Sequence, residues 1–164
     1  MKSKLPLRTK VEVIILKANK LCIAKQYSAD KKKYWYTFPG GGVEEGDTLL
    51  QTAEKECLEE VGVQIKNAKL LGLNKVFENP PMKDDRKAEY SGVDVHYVVA
   101  DYDKLDIRLF NTEGDGLIKL WVSREEAIAS FLGNGEFGDL RIKALEKLDT
   151  FEKPTKNKVI FKGW

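Results

Sequence analysis

The chain has 164 residues, of which 42% are hydrophobic and 33% charged, with a net charge of +2. That length suits one domain with a buried core, and the composition suits a soluble globular fold and argues against disorder. A charge so near zero argues against general nucleic-acid or membrane-surface binding, and no apolar run approaches the length of a bilayer span. Two cysteines, Cys22 and Cys57, lack paired spacing, which excludes a disulfide framework and a cysteine zinc site and fits the cytoplasm. Glu12 interrupts the apolar stretch after Lys2 and Lys4, so no secretory leader is expected. His96 is the single histidine, and the chemistry therefore rests on carboxylates.

Thr9 to Leu16, rich in Val and Ile, predicts a well-buried strand. Ala18-Asn19-Lys20 makes a tight turn, and Leu21 to Lys25 returns as the hairpin partner. A lysine-rich loop from Tyr27 to Lys33 leads to an aromatic strand, Tyr34 to Phe38, stopped by Pro39 and the turn-forming glycines 40–42. A helix follows from about Thr48 to Val61, N-capped by Asp47 or Thr48 and ended by Gly62. Lys69 to Phe77 and Val93 to Ala100 read as strands flanking a polar loop, Glu78 to Gly92. Leu117 to Val122 is a late strand, and Ser123-x-x-Glu126 is a capping box opening a helix. Gly133 to Gly138 breaks the chain before an amphipathic helix, Asp139 to Phe151. The 153–164 tail is lysine-rich with an apolar end, which suits docking on the body or on a second copy, and so allows a homodimer. The pattern is α/β in the mixed, α+β sense: a mixed sheet between helices in one domain spanning 1–164.

Charge is segregated along the chain. Residues 1–33 carry ten Lys or Arg against two acids, and residues 44–60 carry seven acids against one lysine. In the predicted helix Glu56, Glu59 and Glu60 fall at i, i+3 and i+4 and span about 100° of one face. Like charges so placed cost roughly 0.2–0.5 kcal/mol per pair in water and more when partly desolvated. A hard dication converts that repulsion into coordination, because Mg²⁺ takes carboxylate oxygens and keeps several waters. A solvated acidic face is the plainer reading of the helix alone. The glycine triplet immediately upstream shifts the balance, since glycine lets backbone approach an ion or phosphate unobstructed.

Gly41, five residues, Asp47, seven residues, then Lys55-Glu56-Cys57-Leu58-Glu59-Glu60-Val61-Gly62-Val63 resembles the box of the Nudix hydrolases, G-x5-E-x7-R-E-U-x-E-E-x-G-U with U aliphatic. Phe38-Pro39-Gly40 before it and Gly42 to Gly46 within it are also similar to the family. Asp47, Lys55 and Cys57 depart from the box, replacing Glu, Arg and a larger aliphatic residue. In the family the first acid and the arginine brace the loop against the helix; an Asp–Lys pair keeps opposite charge without the guanidinium fork.

The resemblance implies a Nudix fold and cleavage of a pyrophosphate bond in a nucleoside diphosphate linked to a further group. It carries over Glu56, Glu59 and Glu60 as catalytic and metal-site residues, with the Gly40 carbonyl as a further ligand and Mg²⁺, or Mn²⁺ in its place, as cofactor. The general base is Glu56 or the loop acid Glu113. Lys25 resembles a position that relatives turn toward substrate phosphate, beside Gly40 and Gly41 of the turn. A (d)NTP pyrophosphohydrolase is favoured over ADP-ribose, ADP-sugar or dinucleoside polyphosphate cleavage, with a nucleotide-binding regulatory module as the alternative. Trp35, Tyr36 and Tyr90 are candidates for base stacking but read more simply as core, and His96 reads as structural. An allyl-diphosphate isomerase would need a pocket cysteine, which neither Cys22 nor Cys57 supplies.

Overall fold

The computed structural model describes residues 5–28, 32–78, 80, 89–106 and 117–151. The Val- and Ile-rich run becomes β1 (Leu7–Lys17). Val11, Val13 and Ile15 face one side of the sheet, Ile14 and Leu16 the other, and all five are buried. A strand apolar on both faces belongs inside a covered sheet. It is flanked by the hairpin strand β2 (Lys20–Ser28), followed by β3 (Lys33–Thr37), and by a short strand, β4 (Gly40–Gly42). Helix α1 (Leu49–Glu56) continues as a single π turn over Cys57–Val61. Strands β5 (Val63–Glu78), β6 (Gly92–Asp106) and β7 (Ile118–Val122) then precede helices α2 (Arg124–Phe131) and α3 (Gly135–Thr150).

The strands form one mixed sheet in the order β3-β2-β1-β6-β5, with β4 paired to β1 and β7 to β2. β1 and β6 run parallel over ten residue pairs, from Leu7–Gly92 to Leu16–Asp101. On one face Ala53, Cys57 and Val61 of the α1 segment pack on Val11, Val13 and Ile15. On the other, Ala127 and Phe131 of α2 and Leu140, Ala144, Leu145 and Leu148 of α3 cover Ile14, Leu16 and Val99. The fold is thus the expected mixed sheet sandwiched between helices. Among the described residues no helix is long and apolar enough to cross a membrane.

Local signals held at the helix ends. Thr48 caps α1 through a reciprocal pair: Gln51 N donates to Thr48 Oγ1 at 3.1 Å and Thr48 N to Gln51 Oε1 at 2.8 Å. Ser123 and Glu126 form the same box at α2, and Gly62 ends the π turn at φ 69°.

Three boundaries differ from the sequence reading. Gly40–Gly42 is not a free turn: β2 meets β1 only at Leu16 and Lys17, and the glycine triplet pairs with Lys10–Glu12 beside it. β5 begins at Val63 rather than Lys69, because register shifts around Asn67 (φ 55°) and Gly72 (φ 79°) break the two-residue alternation. α3 begins at Gly135, inside the expected break; a Cβ at Gly138 would run into the Phe131 carbonyl, so glycine there lets α3 close on α2. The 153–164 tail lies outside the described residues.

One polar network crosses the second core. Arg141 of α3 donates from Nε to Glu12 Oε1 at 3.0 Å and from Nη2 to Glu12 Oε2 at 2.8 Å. Tyr97 OH donates to Glu12 Oε1 at 3.0 Å, and Arg141 Nη1 reaches the Tyr36 carbonyl at 3.3 Å. This clamp fastens α3 and β6 to β1 at the residue that pairs with Gly40.

Candidate active site

The path into the site starts at Phe38, fully in the core, and Pro39, whose carbonyl accepts from Val13 N at 2.8 Å. These anchors fix β4, where the absence of side chains has specific consequences. A Cβ on Gly40 would collide with the Val11 carbonyl oxygen, one on Gly41 would lie 2.5–2.8 Å from the Glu56 carboxyl group, and one on Gly42 would lie 2.5–2.9 Å from the Arg8 guanidinium. β4 is therefore a bare strip with carboxylate from α1 above it and cation from β1 against it.

From β4 the chain turns through Glu44–Asp47, closed by Asp47 N donating to the Glu44 carbonyl at 3.0 Å, with Gly46 at φ 89°. The brace expected between Asp47 and Lys55 forms instead between Lys55 and Glu44, at 2.9 Å. The longer Glu44 side chain reaches the ammonium, and the pair holds the loop on α1.

The structure brings Glu56 and Glu60 to the glycine strip and leaves Glu59 exposed. The π turn explains the split. An i→i+5 turn is wider than an α-turn and shifts the angular positions of the residues it holds, so i, i+3 and i+4 no longer share one face as an α-helix places them. Glu60 is half-buried and accepts a hydrogen bond from the Gly40 amide. Burial, then repulsion from Glu56, pushes its carboxyl up to about 7, against the pull of the Gly40 amide and Lys10. The Glu56 carboxyl is also raised, first by burial and then by Glu59. Lys10, opposite Gly42 on β1, has its ammonium lowered mainly by burial. Lys119 of β7 donates to the Val61 carbonyl at 2.8 Å and closes the end of the turn.

Among the described residues no three His, Cys, Asp or Glu side chains converge closely enough to hold a metal ion by themselves. Glu56 and Glu60 are half-buried, and exposed Glu59 still acts on Glu56 as its first charged neighbour. The donor set still fits a hard dication: oxygen ligands only, and two crowded, desolvated carboxylates whose charge such an ion neutralises. An incomplete protein cage also suits Mg²⁺, which retains waters and takes substrate phosphate oxygens as ligands.

Lys25 lies over the Tyr34 ring, 4.1 Å from its centroid; the cations felt by Glu56 and Glu60 are Lys55, Arg8 and Lys10. Glu113 lies outside the described residues. Cys57 is buried with its thiol pushed well up by burial, an inert hydrophobe as read. Trp35 is exposed, Tyr36 rests on the core, and Tyr90 and His96 line a surface cleft beside the α1 N-terminus. Sequence reasoning missed Arg8, Lys10, Arg141 and the Glu12 pairing. The one available signal was a glutamate inside an otherwise apolar strand, which calls for a buried partner.

A NUDIX domain model matches residues 6–144. This chain belongs to the Nudix family. It is 39% identical over 71 residues to an RNA pyrophosphohydrolase of Pelagibacter ubique (strain HTCC1062), a match covering 43% of this chain and 42% of that protein. It is 40% identical over 67 residues to an 8-oxo-dGTP diphosphatase of Buchnera aphidicola subsp. Schizaphis graminum (strain Sg), covering 39% and 49%. The matches thus span less than half the length of these curated relatives. A solved NUDIX hydrolase from Nitrosomonas europaea superposes with a TM-score of 0.66 at 17% identity, over 88% of this chain and 89% of that one, a likeness of fold.

Proposed function

We propose that this chain is a Mg²⁺-dependent hydrolase, Mn²⁺ substituting, that cleaves a pyrophosphate bond in a nucleoside diphosphate linked to a further group, with (d)NTPs as the favoured substrates. We place it in the cytoplasm as a single domain over 1–164. The observation that carries the reading is the pairing of Glu56 and Glu60 over the side-chain-free strip Gly40–Gly42, inside the family box.

Mg²⁺, when bound, would supply charge neutralisation at phosphate oxygens and activation of water as nucleophile. Glu56 and Glu60 would hold the ion, and Glu59 adds negative potential from the exposed side of the turn. The Gly40 amide fixes the Glu60 carboxylate, while bare Gly41 leaves room for the Glu56 carboxylate against the strand. The proton of the attacking water passes to a carboxylate, Glu56 or the loop acid Glu113. Lys10 and Arg8 give the strip a positive border on the β1 side, which favours the transferred phosphates. Lys25 is assigned to the substrate from the family pattern.

The test is release of phosphate products with Mg²⁺ from dNTPs, ADP-ribose, dinucleoside polyphosphates and 5′-triphosphorylated RNA, with Glu59→Gln and Glu60→Gln controls. Turnover of one class, lost in Glu60→Gln, supports the reading. Nucleotide binding without turnover of any class replaces it with a regulatory binding module.

A further inference from the structure

We propose that the cleft between the start of β1, the 43–49 loop and the start of β6 binds the nucleoside end of the substrate, with His96 and Tyr90 setting its specificity. The inference rests on the hydrolase reading for the identity of the ligand and goes beyond it in assigning the site.

The cleft measures about 530 Å³, within the range of small-molecule sites. Its distance from the carboxylates follows from register. Gly41, Val11 and His96 lie in one row across β4, β1 and β6, and residues in a row share a face. Two strand spacings put His96 about 10 Å from Gly41, over which the Glu56 carboxyl sits. A nucleotide with its phosphates at the glycine strip extends its sugar and base over that span.

The lining suits a nucleoside better than a further phosphate. Leu7, Val43, Leu49 and the Tyr90 ring offer apolar and aromatic surface to a base. Glu45 and Asp47 contribute acceptors that repel phosphate and receive the hydroxyls of a sugar or the amino group of a base, while Glu44 is held by Lys55. The basic residue of the cleft, Arg8, has its guanidinium at Gly42, on the side of the pyrophosphate.

The His96 side chain and the chain at Tyr90 are held in place. Asp94 bridges Asn74 Nδ2 at 2.9 Å and His96 Nε2 at 2.9 Å, which fixes the imidazole at the cleft wall. Ser91 donates from its amide to the Pro6 carbonyl at 3.0 Å and from its hydroxyl to the Leu5 carbonyl at 2.7 Å, tying the Tyr90 backbone to the chain before β1.

The experiment pairs an amide NMR titration of the whole protein, using Mg²⁺ and α,β-methylene-ATP, with kinetics of His96→Ala and Tyr90→Ala on the best nucleotide substrate. The expected result is shifts at Thr9, Val43, Tyr90 and His96, and in each variant a KM raised about tenfold with kcat within about twofold. Tripolyphosphate, which has no nucleoside, binds wild type and both variants equally. An unchanged KM in both variants, or analogue shifts confined to the Lys25–Tyr34 surface, overturns the assignment while leaving the hydrolase reading intact. If no substrate turns over, the hydrolase reading fails and the analogue titration alone decides the cleft.

Discussion

Removing Arg141 tests whether the buried clamp holds the C-terminal helix to the strand beneath the active site. Both partners are nearly enclosed, with side chains 9% and 8% exposed for Arg141 and Glu12. Arg141→Met keeps the aliphatic stem but leaves the Glu12 carboxylate with the Tyr97 hydroxyl alone as its partner in the network. Breaking a buried pair from one side costs about 3–5 kcal/mol, because the surviving charge is stranded away from water. Replacing both partners removes the stranded charge, so Glu12→Leu with Arg141→Met should recover most of the loss, short of about 1 kcal/mol for the orphaned Tyr97 hydroxyl. Urea denaturation at pH 7 of wild type, both single variants and the double variant closes the cycle. A double variant as unstable as the sum of the singles, or an Arg141→Met loss below about 1 kcal/mol, would refute the reasoning. Glu12 also pairs with Gly40, so the single variant should lose turnover at temperatures where it is still folded.

The glycine strip gives a contrast between neighbours. The atoms nearest a Cβ on Gly41 are those of the Glu56 carboxyl, the far end of a flexible side chain, so Gly41→Ala should cost under about 1 kcal/mol in a urea melt yet lower Mg²⁺-dependent turnover about a hundredfold by displacing that carboxylate. Gly40→Ala meets the Val11 backbone and should cost about 1–3 kcal/mol as overpacking; equal melts for the two would contradict the geometry. Thr48→Ala removes the α1 cap and should cost about 1 kcal/mol, read by the same melt. In chelated protein the Glu60 carboxyl, at about 7 against an ordinary 4.5, keeps a proton that the unfolded chain has lost. Stability should therefore fall as pH rises from about 4.5 to about 7, by up to about 3 kcal/mol, and then level off. Glu60→Gln should lack that slope, and Mg²⁺ should restore most stability at the high end; parallel wild-type and variant profiles would count against it.

What the sequence disclosed and what it hid divide by the range of the interaction. The Thr48 cap, the Ser123 box and the left-handed Gly62 each depend on a few consecutive residues, so local chemistry sufficed to place them. The acidic row was visible for the same reason, but the exposure of Glu59 beside half-buried Glu56 and Glu60 falls on a π turn that an ideal helical wheel omits. β4 was hidden because glycine has little strand preference of its own; pairing with Lys10–Glu12 confers the conformation. The Lys55 brace likewise chose Glu44 over Asp47 by side-chain reach rather than by position in the box.

The clamp and the cleft were beyond any local signal. Glu12 meets Tyr97 across 85 residues and Arg141 across 129, and His96 reaches the site only because β6 pairs parallel with β1. That same pairing supplies the connection between them. Along β1, Val11 shares the face of α1 and His96, and its neighbour Glu12 shares the opposite face with Tyr97 and Arg141. One strand thus carries the glycine strip at its edge, the proposed nucleoside cleft on one face and the clamp on the other. A change at Arg141 therefore acts on β1 itself, and its effects on turnover and on nucleotide KM should appear together, whereas His96→Ala should move KM alone.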